Sequence, residues 1–164
     1  MHFGRKWQSV GKKPHNFRSA ILFSIFVVLG SWMAFASAAA AQTVVDGIIT
    51  TDTVWDLDGS PYLITRNVIV RSASKGGAAP VLTIEAGVEV RFSPGTGLQI
   101  ADEFGGVYRG ALDARGTADA PIVFTSNAAS PAPGDWKGIF FHERADSGSS
   151  RFEHCVIEYG GSGF

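Results

Sequence analysis

Apolar and polar residues alternate with a period of two along most of the chain after Gln42. In the segment 82–92, apolar residues occupy every second position on both sides of Ala86 and Gly87. Successive side chains of a β-strand point to opposite faces, so this pattern predicts half-buried strands. Similar short runs lie at 62–65, 68–70, 98–100, 111–114, 121–125, 136–141 and 152–159. No convincing amphipathic helix interrupts them, and we expect an all-β fold.

The spacing of these runs indicates stacked units. Grouped in threes, their middle strands start at Val88, Ile122 and Cys155, which follow one another at almost equal intervals. A recurrence of this kind is typical of a solenoid rather than of a hairpin sandwich. The intervals 127–135 and 143–150 are rich in turn residues, and we expect them to leave the stack at its corners. The side of a solenoid on which such loops lie is a natural place for ligand binding.

Five strings of the sequence resemble, in the same order, those of bacterial secreted right-handed parallel β-helix repeat proteins. They are Pro80–Phe92, Gly110–Thr117, Ala120–Ser126, Asp135–Phe141 and Ile157–Gly161. The resemblance implies a right-handed parallel β-helix of a few coils over residues 80–164. It also implies that residues 42–79 form an N-terminal strand and cap segment, with Trp55 and Tyr62 in the cap.

Compared with that family, the segment Ala101–Arg109 resembles an insertion between two strands that are usually joined more closely. Relatives continue for many more coils, whereas this chain reaches Phe164 without an evident closing cap. We therefore expect a fragment or a truncated reading frame.

The segment Met1–Ala41 has the three parts of a secretory signal. Five basic and no acidic residues are followed by an apolar run over 20–36 and by the small-residue exit Ser37–Ala41. We predict a helical signal peptide that is cleaved after Ala41, with Ala38 as the nearby alternative. The competing interpretation is an uncleaved membrane anchor, since about 20 apolar residues can span a bilayer. The signal predicts export to the cell surface, the periplasm or the medium.

Charge argues against nucleic acid as a partner. The part after position 41 carries nine Lys or Arg and fifteen Asp or Glu, a formal charge of −6. Neutralising phosphates supplies most of the affinity for nucleic acid, and an acidic domain without a basic cluster lacks that contribution. We expect contact with membranes only through an uncleaved signal segment.

Conventional metal and nucleophile motifs are absent from the sequence. His142 and Glu143 would open a metalloprotease motif, but Asp146 stands where the second histidine ligand is required. Cys155, the single cysteine, lies in an apolar-rich strand pattern, where a small buried hydrophobic role is expected. His154 is its neighbour, but adjacent residues of a strand face opposite sides. We predict no metal and no cofactor.

Acidic side chains supply the one enzyme-like signal, because many β-helix proteins cleave polysaccharides with carboxylates. The candidates are Asp56 with Asp58, Asp102 with Glu103, and Asp113. Two carboxylates are the minimum for glycoside hydrolysis. However, residues 58–61 have turn chemistry, and Asp113 matches an ordinary outward position of the family. We therefore assign no catalytic residue.

Loop aromatics are the candidate ligand contacts, namely Phe104 and Tyr108 in the insertion. Trp136 would stack on a sugar if it were exposed, but its place in the family pattern favours a structural corner. We expect an exported, non-enzymatic scaffold that contacts polysaccharide or a cell-surface glycan. The alternative is a fragment of a polysaccharide-degrading lyase or glycosidase.

Overall fold

The computed structural model describes residues 42–102 and 107–163, which form strands joined by turns and loops. The predicted signal peptide at residues 1–41 lies outside this part of the chain. The described residues form eleven strands, which are β1 (Thr43–Ile49), β2 (Thr53–Trp55), β3 (Tyr62–Val70), β4 (Val81–Ile84), β5 (Glu89–Phe92), β6 (Gly97–Ile100), β7 (Ala111–Arg115), β8 (Ile122–Ser126), β9 (Gly138–Phe141), β10 (Arg151–Glu153) and β11 (Cys155–Ile157). Within the described ranges there is no helix long and apolar enough to cross a membrane.

The strands pair in parallel and surround one core on three faces. Face 1 contains β11, β8, β5 and the first halves of β3 and β1. Face 2 contains β9, β6 and the second halves of β3 and β1. Face 3 is the separate four-stranded sheet β10-β7-β4-β2. The chain visits the faces in turn, which is the architecture of a parallel β-helix.

The register between coils follows the predicted recurrence. Ile122 lies directly beside Cys155, and the N–H of Val123 donates to the carbonyl of Val88 at 3.0 Å. The starts of the three middle strands therefore stack, as their nearly constant spacing along the sequence predicts. On face 3, Leu82 pairs with Leu112, whereas Phe152 pairs with Ala114. Register partners on this face are thus separated by more residues between β7 and β10 than between β4 and β7, so the longer connection before β10 causes most of the less even sequence spacing there.

Inward-facing apolar side chains form continuous columns through the stack. One column on face 2 contains Val70 and Ile100, which are both fully buried. Burying an aliphatic or aromatic side chain completely contributes about 1.5–3 kcal/mol, and each column repeats this contribution coil after coil. The alternation of the sequence is therefore the direct cause of the dry interior.

The segment predicted as a cap takes part in the same stack. β2 and β3 belong to it and pair in register with the strands of the next coil. Trp55 and Tyr62 are buried inside the core, with their rings stacked at 4.8 Å between centroids. The assignment of residues 42–79 as a cap that closes the stack stays a prediction.

Candidate functional site

The polar side chains that point outward on face 1 line a shallow groove of about 310 Å³. β5 contributes Glu89 and Arg91, and β8 contributes Thr125. Glu158 and Tyr159, which follow β11, form the far wall. Because strands in a sheet lie about 4.8 Å apart, these groups form a row of donors and acceptors along the solenoid.

Two hydrogen-bonded pairs organise the floor of this groove. The guanidinium of Arg91 donates to both carboxylate oxygens of Glu89, at 2.9 and 3.0 Å. This hydrogen bond to Glu89 raises the pKa of Arg91. Across the coils, the hydroxyl of Thr125 donates to Glu158 Oε1 at 2.8 Å. The groove is therefore polar and charged, but its side chains are held in place before any ligand arrives.

The loop over residues 127–135 forms one rim of the groove and is fixed by Asp135. Its carboxylate accepts hydrogen bonds from the Ser126 hydroxyl at 2.6 Å and from the Ala132 N–H at 3.0 Å. These bonds lower the pKa of Asp135, with the bond from Ser126 as the larger cause. Because these hydrogen bonds fix the loop, the rim presents a defined surface to a ligand.

The two described aromatic candidates lie apart from this groove. Trp136 is fully buried, stacked on Phe92 at 3.9 Å, and its Nε1 donates to the carbonyl of Glu158 at 2.8 Å. Its ring therefore holds a corner and presents no face to solvent. Tyr108 lies beneath the guanidinium of Arg71, 4.1 Å from its ring centroid. Phe104 lies outside the described residues.

The described carboxylates considered for catalysis are spread over separate places. Asp56 accepts a hydrogen bond from the N–H of Gly59 at 3.0 Å and closes a turn. Asp102 forms an ion pair with Arg71 at 3.4 Å. Asp58 lies in the same turn as Asp56, and Glu103 lies outside the described residues.

Asp113 faces outward on face 3 and is bound in bidentate fashion by Arg115, at 2.7 and 2.6 Å. Hollows of about 560 and 310 Å³ flank this pair on face 3. No group of three or more His, Cys, Asp or Glu within residues 42–102 and 107–163 is arranged to hold a metal ion.

Cys155 is half-buried against the core, and burial raises the pKa of its thiol. The sulfur donates to the carbonyls of Glu153 at 3.3 Å and Ala114 at 3.5 Å. A raised pKa disfavours the thiolate that nucleophilic chemistry requires. The packing role expected from the sequence therefore fits its surroundings.

The sequence alone does not identify the groove residues as contacts. The sequence does indicate that Glu89 and Arg91 face outward, since they occupy the polar positions of an alternating strand. Thr125 lies beside Arg91 on the next coil, but the sequence shows this only once the register is known.

Comparison with known proteins supports the same architecture. A family model described as a pectate-lyase-like β-helix domain matches residues 47–163. No curated protein and no solved structure gives a significant match to the chain. The matched range runs from within β1 to beyond β11, which are the stacked coils described above. The chain therefore belongs to the family of pectate-lyase-like β-helix domains.

Proposed function

We propose that the protein is an exported, non-enzymatic β-helix scaffold that contacts polysaccharide or a cell-surface glycan through the groove on face 1. The observation that carries the proposal is the row of prearranged polar groups formed by Arg91, Glu89, Thr125 and Glu158. Sugar hydroxyls both donate and accept hydrogen bonds, so they match a surface of mixed donors and acceptors. The open shape of the groove suits an extended chain.

The non-enzymatic part of the proposal rests on the contacts that the candidate catalytic carboxylates already make. A glycosidase needs two carboxyl groups that flank one scissile bond. Here Asp102 and Asp113 each pair with an arginine, and Asp56 caps a turn. These three side chains take part in structural contacts at separate places on the solenoid.

The family description supports the alternative of a fragment from a polysaccharide-degrading enzyme, since it refers to pectate lyase. The two functions differ in what happens to a bound glycan. Incubating the protein with neutral and acidic polysaccharides and measuring new chain ends distinguishes them. We expect binding without new ends, whereas measurable cleavage would establish the enzymatic alternative.

The groove itself is tested by Arg91→Ala. Hydrogen bonds to a charged group contribute about 1.5–3 kcal/mol, so we expect binding to an immobilised polysaccharide panel to weaken about tenfold or more. Arg66→Ala is the matched control, because Arg66 is an exposed arginine that pairs with Asp46 outside the groove. Equal loss of binding in both variants would contradict a role for face 1.

A further inference from the structure

We infer that the groove on face 1 takes neutral, hydroxyl-rich glycan chains and discriminates against chains that carry carboxylate or sulfate groups. The inference rests on the proposed function, because it names the substrate class of the same groove. Three properties of the lining carry it, namely its charge, its hydrogen-bonding capacity and an apolar strip.

The first property is an excess of negative charge. Glu89 and Glu158 line the groove, and the carboxylate of Asp135 fixes its rim. Among the described residues that line the groove, Arg91 is the one cation. Three carboxylates therefore stand against a single guanidinium, and an anionic ligand placed among them is repelled. The part of the chain after position 41, with its formal charge of −6, adds the same sign at longer range.

The second property is that the groove offers mainly acceptors of hydrogen bonds. An ionised carboxylate has no proton to donate and accepts through both oxygens. Glu158 receives the hydroxyl proton of Thr125 on Oε1, so any further hydrogen bond at this carboxylate requires a donor from the ligand. Sugar hydroxyls supply such donors, whereas ionised carboxylate and sulfate groups only accept. An anionic substituent there would place oxygen against oxygen without a proton between them.

The one cation of the groove is already engaged by its neighbour. Nε and Nη2 of Arg91 donate to the two carboxylate oxygens of Glu89, at 2.9 and 3.0 Å. Two parallel N–H donors of this kind are what arginine uses to bind a carboxylate or another oxyanion in bidentate fashion. An acidic sugar would have to displace Glu89 from this edge, and the displaced carboxylate would remain in the groove as an uncompensated charge.

The third property is an apolar strip beside the polar row. Val123 lines the groove and lies between Glu89 on the preceding coil and Val156 on the following one. Ligand sites commonly combine an apolar lining with a few polar groups that orient the ligand. A pyranose ring is divided in the same way, with C–H groups on its faces and hydroxyls at its edge. An uncharged sugar chain therefore matches both rows of the groove.

Matched pairs of glycans test the inference with the full chain. Each backbone of a polysaccharide panel is used in an uncharged and a carboxylated form, such as methyl-esterified and free polygalacturonate, and binding is measured by calorimetry. Unit charges about 4 Å apart in water-like surroundings repel by an energy that corresponds to about a fivefold change in affinity. We therefore expect the uncharged form of each pair that binds to be about fivefold tighter or more. The difference should shrink at about 0.5 M salt, where charges are screened.

Glu158→Gln removes one negative charge of the groove and keeps an oxygen that accepts the hydrogen bond from Thr125. It should lower the preference for the uncharged form about threefold or more. Glu143→Gln is the matched control, because Glu143 is exposed and lies outside the groove lining, and it should leave the preference unchanged. Circular dichroism verifies the fold of both variants.

Equal or tighter binding of the carboxylated forms would overturn the inference and leave the proposed glycan scaffold standing. A preference that Glu158→Gln leaves unchanged, or that Glu143→Gln lowers equally, would also overturn it, because the charge of the groove would then not be its cause. Absence of binding to every glycan in both forms would instead refute the proposed function, and the inference with it.

Discussion

At the scale of single residues, Trp136 shows how one side chain joins two coils. It stacks on Phe92 below, and a Cβ added at Gly160 above would lie 3.2 Å from its ring. Its Nε1 hydrogen bond to Glu158 fixes the orientation of the ring. The small Ser126 stands beside Phe92 on the next coil, which leaves space that the indole fills.

Trp136→Ala should therefore destabilise the fold strongly. Removing a large buried aromatic side chain costs about 3–5 kcal/mol, which is measurable as a lower free energy of unfolding in urea. Leu57→Ala is the control, because Leu57 is 58% exposed and should change stability by about 0.5 kcal/mol or less. Similar losses in both variants would show that the indole does not support the stack.

Single residues also show which parts of the site the sequence predicts and which it does not. The resemblance implied a corner position for Trp136, and the structure shows why the ring is inaccessible. The polar groove could not be predicted in the same way, because it depends on which outward residues of distant strands become neighbours. Glu158 contacts Thr125 only through the stacking of β11 beside β8.

At the scale of elements, alternation located the strands well where it was regular. β1 was not distinguished as a strand, because its outward positions include the apolar Val44 and Ile48 and one inward position is Gly47, so its residue types do not alternate although its burial does. β3 is one strand over nine residues, although the sequence showed two short runs at 62–65 and 68–70. Its two halves pair with different partners, β5 and β6, which no local pattern contains.

Turns between elements are constrained where the backbone passes closely. Gly110 precedes β7, and an added Cβ would overlap the carbonyl of Val70 and approach the N–H of Ala101. Both neighbours are backbone atoms, so neither can rotate away. The chain therefore enters β7 at a position with no room for a side chain.

Gly110→Ala should destabilise the protein by about 1–3 kcal/mol, as overpacking of a filled site does. Thermal unfolding followed by circular dichroism should show a Tm several degrees lower. Gly148→Ala provides the comparison, because its Cβ would meet only the flexible carboxylate of Asp146 at 3.3 Å. An unchanged Tm for Gly110→Ala would show that this corner can rearrange.

At the scale of the whole molecule, the predicted signal peptide determines the compartment in which we expect the solenoid to act. The apolar run and the small-residue exit at 37–41 favour cleavage after Ala41. We expect N-terminal sequencing of the exported product to begin at Gln42. An intact N-terminus on membrane-associated protein would instead support the anchor interpretation.

The column architecture has a consequence for how the molecule comes apart. Each coil touches only its neighbours, so cohesion is a sum of local contacts rather than a property of one central nucleus. Unravelling should therefore begin at the outermost coils and spread inward step by step, while the middle coils stay assembled longest. The polar groove spans β5, β8 and β11. Because β11 is the outermost of these three strands, the part of the groove beside β11 would be lost earlier in unfolding than the part on β5.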